Sequence, residues 1–430
     1  MLEQLFRLRE HGTTARTEIV AGVTTFLTMS YIIFVNPEIL SSTGMSRDAV
    51  FVATCLAAAL GSAIMALVAN WPIGMAPGMG LNAFFAFTVV GAMGYSWQQA
   101  LGAVFISGVI FIVLTATGVR AWLIDGIPRS LRSAIAAGIG LFLAIIALAN
   151  AGIVVDHPAT KVALGDLRAP GPLFAIFGFF VIACLDALRI RGAILIGILV
   201  VTTASTLLGQ NAFHGVFSAP PSLAPTLLQL DIVGALHAGF VHVILVFVLV
   251  EVFDATGTLI GVAKRAGLAP AGRPSRLGRA LFADSTAIVA GSLLGTSSTT
   301  AYVESASGVQ AGGRTGLTAL VVALLFLAAL FIAPLAGSVP AYATAPALLY
   351  VAGLMMRELV EIDWDDVSEA TPAALTALAM PFTYSVANGI AFGFVSYVVL
   401  KTCTGRAREV HAATWLVAAL FVIRFAFFPG

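Results

Sequence analysis

Apolar runs long enough to cross a bilayer as helices follow one another along almost the whole chain. They cover 19–40, 48–69, 97–118, 131–150, 171–188, 192–208, 234–262, 280–294, 314–336 and 341–357. An apolar region at 371–402 is broken by Pro381 and Asn388-Gly389 into two short spans. A last run, 411–428, contains Arg424 and is either an interfacial helix or a further crossing. Two stretches depart from this pattern. The first, WPIGMAPGMGLNAFFAF at 71–87, holds Pro72, Gly74, Pro77, Gly78 and Gly80, which sit badly in a helix interior. It predicts an extended lead followed by a half-helix from Leu81 to Val90. The second, GTSSTTAYVESASGVQAGG at 295–313, is too short, too polar and too rich in glycine for an ordinary span. It predicts a second half-helix starting near Thr299, with Glu304 about one turn inside it.

The two broken stretches occupy corresponding places in the two halves of the chain. Pairing Gly94 with Gly313 also pairs Gly118 with Gly337 and lays apolar 101–117 on apolar 320–336. Pro128 and Pro340 then open the next span in each half. Paired interrupted segments point to a binding site at the midplane of a transporter. The expected architecture is all-α and polytopic, with fourteen segments as a 7+7 inverted repeat: 1–208, then 234–402, then a C-terminal helix within 403–430. With a cytoplasmic N-terminus, all but four of the 22 Lys and Arg fall on the inner side. Arg47, Lys161 and Arg168 fall outside, and Arg424 is unassigned. That asymmetry follows the positive-inside rule and favours two crossings within 371–402.

Composition agrees. The chain of 430 residues is 59% hydrophobic and 10% charged, against about 25% charged in a soluble domain. Its mean hydropathy is +1.00. A net charge of +1 gives no reason to expect a nucleic-acid partner. The N-terminal residues are charged and lack a signal peptide's apolar core and cleavage site. Cys55, Cys184 and Cys403 are far apart and read as packing residues, and the six His show no metal spacing. No metal or other cofactor is expected.

Three polar clusters would meet if both broken segments point inward. The first is Asn82 beside Gly78-Met79-Gly80, where a half-helix would present free N–H groups and its positive dipole end. Asn82 either caps that helix alone or caps it and lines a site. The second is VEVFDATGTLIG, where Glu251, Asp254 and Thr258 share one helical face. Two carboxylates in an apolar span are costly unless they are protonated, paired or hydrated. The plainer alternative is that they reach water at the cytoplasmic end, near Lys264 and Arg265. The third is Thr299, Thr300 and Glu304, whose carboxylate could accept from a ligand's N–H groups. His237 and His242 read as interfacial or packed, and Asp186 with Arg189 and Arg191 as a solvated span end. Phe84, Phe85 and Phe87 read as packing, though one of them near Asn82 could stack on a flat ring. No HExxH motif, nucleophile–base pair or metal-spaced ligand set supports a membrane-embedded enzyme. Opposed half-helix N-termini would suit an anion transporter, but the clustered carboxylates oppose one.

In combination, GMGLNAFFAF, VEVFDATGTLIGVA, GTSSTTAYVESASGV and MPFTYSVANGIAFGFVSYVVLK resemble the azaguanine/hypoxanthine-permease branch of the nucleobase–cation symporters. The resemblance covers nearly the whole chain. It implies segments 3 and 10 as half-helices preceded by short strands. It also implies a core domain from 19–118 and 234–336 and a gate domain from 131–208 and 341–402. A purine base would bind between the half-helices, with Asp254 and Glu304 as the main contacting carboxylates. Asn82, Glu251 and Thr258 would support the site, and Thr299 and Thr300 would enter through the segment-10 motif. In the related uracil-permease branch a histidine stands where Thr258 falls here. The implied function is import of hypoxanthine-, guanine- or adenine-class bases with protons across a bacterial inner membrane. Glu251, Asp254 or Glu304 would carry the proton, with sodium a second candidate ion. A homodimer through the gate domain is also implied. Xanthine, uracil or an inorganic anion such as sulfate or bicarbonate are the alternative cargoes.

Overall fold

Hydroxyl side chains interrupt the first span. Thr24, Thr28 and Ser30 donate back to carbonyls three or four residues earlier in their own helix, which bends helices. In the computed structural model the span divides there into Ala15–Met29 and Ile32–Ser41. The structure describes residues 2–236, 241–268 and 276–427. Within those ranges, the side chains of Ala121, Ile124, Asp125, Val241, His242, Phe253, Asp254 and Phe427 lie outside the description. His237 and Arg273 lie outside the described residues altogether.

The protein is a helical, multi-pass membrane protein. Among the described residues ten helices are long and apolar enough to cross a bilayer, and Met79–Ala92, Ala193–Leu207 and Ala412–Ala426 are shorter apolar helices. Caps fix several starts. Ser46 accepts from Ala49 N at the head of Arg47–Ile64, and Ser96 with Gln99 forms a full capping box on Trp97–Ala116. The 371–402 region forms two helices, Val367–Phe382 and Val386–Cys403, packed against each other. One helix was not foreseen. Val119–Gly126 fills the connection between the fourth and fifth spans. The C-terminal helix Ala412–Phe427 packs on it and on Val386–Cys403, and Thr414 Oγ1 donates to Gly126 O at 2.7 Å.

Among the described residues, four short strands punctuate the helices. β1 is Met75–Pro77, β2 Val154–His157, β3 Lys161–Leu164 and β4 Thr299–Ala301. β2 and β3 form a hairpin in the connection between the fifth and sixth spans. β1 and β4 come from opposite halves of the chain and pair antiparallel, Met75 opposite Ala301 and Pro77 opposite Thr299. Gly78 N donates to Ser298 O (2.8 Å) and Tyr302 N to Gly74 O (3.0 Å), which lengthens the ladder at both ends. The pairing satisfies backbone groups that lipid could not.

Around this crossing the halves interleave. Leu277–Leu294 packs on Trp97–Ala116 and on Arg47–Ile64, and Gly316–Ala329 packs on Ala15–Met29 and on Arg47–Ile64. Further helices pack on one another: Arg129–Asn150 with Val367–Phe382 and Ala341–Met355, and Pro170–Ala187 with Ala193–Leu207, forming a second group. Ser305–Gln310 lies against Ala15–Met29 at Gly308, where a Cβ would collide with Ala21 O (2.7 Å) and with Thr25. At the end of the second group Lys401, only 1% exposed, pairs with Glu369 at 2.8 Å, and Arg406 pairs with Asp366 at 2.6 Å. The Arg406 hydrogen bond holds the Asp366 carboxyl well below the usual carboxylate range.

Candidate functional site

The strand crossing gathers polar side chains from several helices. After β1 the chain turns at Gly78, where a Cβ would stand 2.8 Å from the Thr300 methyl, and enters a helix from Met79 to Ala83. The helix continues as a π-helix, Phe84–Ala92. This short helix lies where the breakers predicted it. The second does not. Thr299 and Thr300 are in β4, not in a helix, and the helix runs only from Ser305 to Gln310. Glu304 therefore stands at its N-cap position instead of a turn inside it. The physical reason is that β-branched Thr299 and Thr300 suit an extended strand and find a ready partner in β1.

Asn82 is fully buried one turn into the first short helix. Its Oδ1 accepts a hydrogen bond from Ser297 Oγ, and its Nδ2 has no partner among the described residues. Glu251, on Val241–Arg265, is also fully buried, so it does not reach water at a helix end. Its Oε1 accepts from Ser298 Oγ. Two adjacent serines thus tie the polar stretch to Asn82 on one side and Glu251 on the other. The Thr299 hydroxyl is buried without a partner among the described residues. Glu304 is half-buried, and its Oε1 accepts from the Tyr31 phenol at 2.7 Å.

Other sequence candidates fall further out. Thr300 Oγ1 turns to Asp284 Oδ1 at 3.4 Å. Thr258 is half-buried on the same helix as Glu251, and no hydrogen bond joins it to the other candidates among the described residues. Asp254 lies in that helix, but its side chain is outside the description. Phe84 is fully buried, with its ring edge-to-face on Phe247 at 5.0 Å.

Several residues of this neighbourhood were not singled out from the sequence. Asn36 Nδ2 donates to Thr54 Oγ1 (2.7 Å) and to Thr296 Oγ1 (2.9 Å), binding the first two spans to the polar stretch. Behind β4 is a buried ion pair, Arg120 Nη2 to Asp284 Oδ2 at 3.0 Å, with the two side chains 1% and 0% exposed. Arg120 also donates to Ser285 Oγ (3.3 Å) and Thr256 Oγ1 (3.5 Å), and its guanidinium stands 4.7 Å from the centre of the Phe111 ring. Asp284 had a legible signal, as a lone carboxylate inside an apolar run.

A helical bundle whose two halves interleave around crossed, interrupted segments is a membrane-transporter architecture. The chain belongs to the Permease family, whose pattern matches residues 16–392. It is 51% identical over 428 residues to the adenine permease AdeP of Escherichia coli (strain K12), an alignment covering 99% of this chain and 96% of that protein. It is 44% identical to the guanine/hypoxanthine permease PbuO of Bacillus subtilis (strain 168), covering 98% of this chain and 99% of that one. Among solved structures, the transmembrane domain of a cyanobacterium bicarbonate transporter, BicA, superposes with a TM-score of 0.67 at 16% identity. That match covers 87% of this chain and 97% of the other. The structural likeness speaks for the fold alone.

Proposed function

We propose that the protein imports purine nucleobases, of the adenine, hypoxanthine and guanine class, together with protons. The observation that carries this reading is the set of groups around the strand crossing. Glu251 and Glu304 flank it, and the Asn82 amide is buried with a donor that meets no acceptor among the described residues. A neutral, flat heterocycle needs a few placed donors and acceptors in an apolar slot. A carboxylate accepts from a base N–H, and the Asn82 Nδ2 donates to a ring nitrogen or carbonyl. Adenine meets such a pair with N6–H and a neighbouring ring nitrogen. Hypoxanthine and guanine meet it with N1–H and a carbonyl. Buried carboxylates repel an inorganic anion, so they speak against sulfate or bicarbonate as cargo. The relatives named adenine and guanine/hypoxanthine permeases support the same class.

In this reading Glu304 and Asp254 contact the base. Asn82, Thr258, Thr299, Thr300 and Phe84 complete the slot. Glu251, Asp254 or Glu304 takes the coupling proton, with sodium as the competing ion. The 19–118 and 234–336 segments move as a core against a gate of 131–208 and 341–402, in alternating access across a bacterial inner membrane. Fourteen segments, a cytoplasmic N-terminus and a gate-mediated dimer complete the proposal.

The test is uptake of radiolabelled adenine and hypoxanthine in cells lacking their own purine permeases. Unlabelled guanine, xanthine, uracil and sulfate compete, with and without a protonophore. Purines are expected to compete, and the protonophore to collapse uptake. Glu304→Gln is expected to abolish uptake while the protein still reaches the membrane. Competition by uracil or sulfate alone, or full uptake by E304Q, overturns the reading.

A further inference from the structure

Glu304 does not stand alone at the crossing, because the broken first span reaches across to hold it. Tyr31 is 1% exposed and sits in the gap between Ala15–Met29 and Ile32–Ser41. Its phenol donates to Glu304 Oε1 at 2.7 Å. One turn earlier the Thr28 hydroxyl lies 3.5 Å from the Glu304 carbonyl. Five residues later Asn36 donates to Thr296 at the other end of the polar stretch. The interrupted span thus grips the polar stretch near its start and at its middle, and one of its contacts falls on a carboxylate that is itself half-buried.

An unheld glutamate samples several rotamers, and binding a ligand must select one. A charge-assisted hydrogen bond from a buried, ring-packed phenol makes that selection before the ligand arrives. We propose that Tyr31 is a positioning residue for the base: it fixes the Glu304 carboxylate in the orientation that receives a purine N–H. The break in the first span serves to place that phenol. The inference rests on Glu304 being the base-binding carboxylate.

The test is Tyr31→Phe, which keeps the ring and removes the hydroxyl, assayed for adenine and hypoxanthine uptake beside E304Q. The expected result is an apparent KM raised about tenfold with Vmax within about twofold and unchanged protein in the membrane. Affinities of purified protein for adenine complete a cycle with Glu304→Asp, whose shorter arm withdraws from the phenol. Adding Y31F to E304D is expected to cost little more than E304D alone. An unchanged KM in Y31F while E304Q is inactive overturns the positioning role and leaves the site reading intact. Normal uptake by E304Q removes the site reading itself. Losses that simply add in the cycle, or a fall in Vmax alone, also overturn the proposal. If Y31F is depleted from the membrane, Tyr31→Met repeats the assay, and depletion of both shows that Tyr31 is a packing residue only.

Discussion

At the scale of single residues, the buried groups that lack a partner are the most telling. Among the described residues, Nδ2 of Asn82 is enclosed and unbonded while its Oδ1 is held by Ser297, so the amide is oriented with its donor unused by any of them. Leaving a buried donor unmade is costly, and a ligand acceptor relieves that cost. Asn82→Ala is therefore expected to weaken purine binding about five- to tenfold, the worth of roughly 1 kcal/mol. Equilibrium binding to purified protein checks this, and an unchanged affinity would make Asn82 a cap alone. Asn82, Glu251 and Glu304 were legible in the sequence because a polar side chain in an apolar stretch is expensive without a purpose. Their partners were less so. Ser297 and Ser298 sit in a run of five hydroxyls, and composition does not tell which of the five turn toward Asn82 and Glu251. Tyr31 reads as an ordinary aromatic of a span until the fold brings Glu304 beside it.

At the scale of elements, the crossing depends on what lies behind it. β4 is backed through Thr300 by Asp284, and Asp284 by Arg120 on the unforeseen helix Val119–Gly126. Removing one partner of a buried ion pair strands the other charge. Arg120→Met is expected to lower stability by about 3–5 kcal/mol, and the double variant R120M/D284N to recover much of that loss. Thermal unfolding of detergent-solubilised protein measures both, and a double variant no better than R120M would show that the arginine acts mainly through its other contacts. Most helices were legible because their apolar runs are long and end at recognisable breakers. The second broken segment was misread as a helix from Thr299 because its extended form depends on pairing with β1, more than two hundred residues away. Val119–Gly126 was missed because it is short and carries both Arg120 and Asp125, which made it resemble a connection.

At the scale of the whole molecule, the proposed orientation rests on charge. The Lys and Arg residues crowd one set of connections, and an anionic inner leaflet with the translocation machinery keeps such connections inside. The proposed orientation puts the β2–β3 hairpin outside and the end of Val386–Cys403 inside. Two residues report on this. Ala159 lies exposed at the hairpin turn, and Cys403 is an exposed native thiol. With Cys55 and Cys184 replaced, Cys403 should react with a membrane-impermeant maleimide only after the cells are permeabilised. With all three native cysteines replaced, Ala159→Cys should react in intact cells. The pair also checks the connectivity, because an odd number of crossings must separate the two positions for them to face opposite sides. Both labelling from outside would mean one crossing fewer or more than proposed, most simply through Val367–Phe382 and Val386–Cys403 failing to form two crossings. Both positions labelling in reversed order would keep the number of crossings odd and turn the molecule over in the membrane.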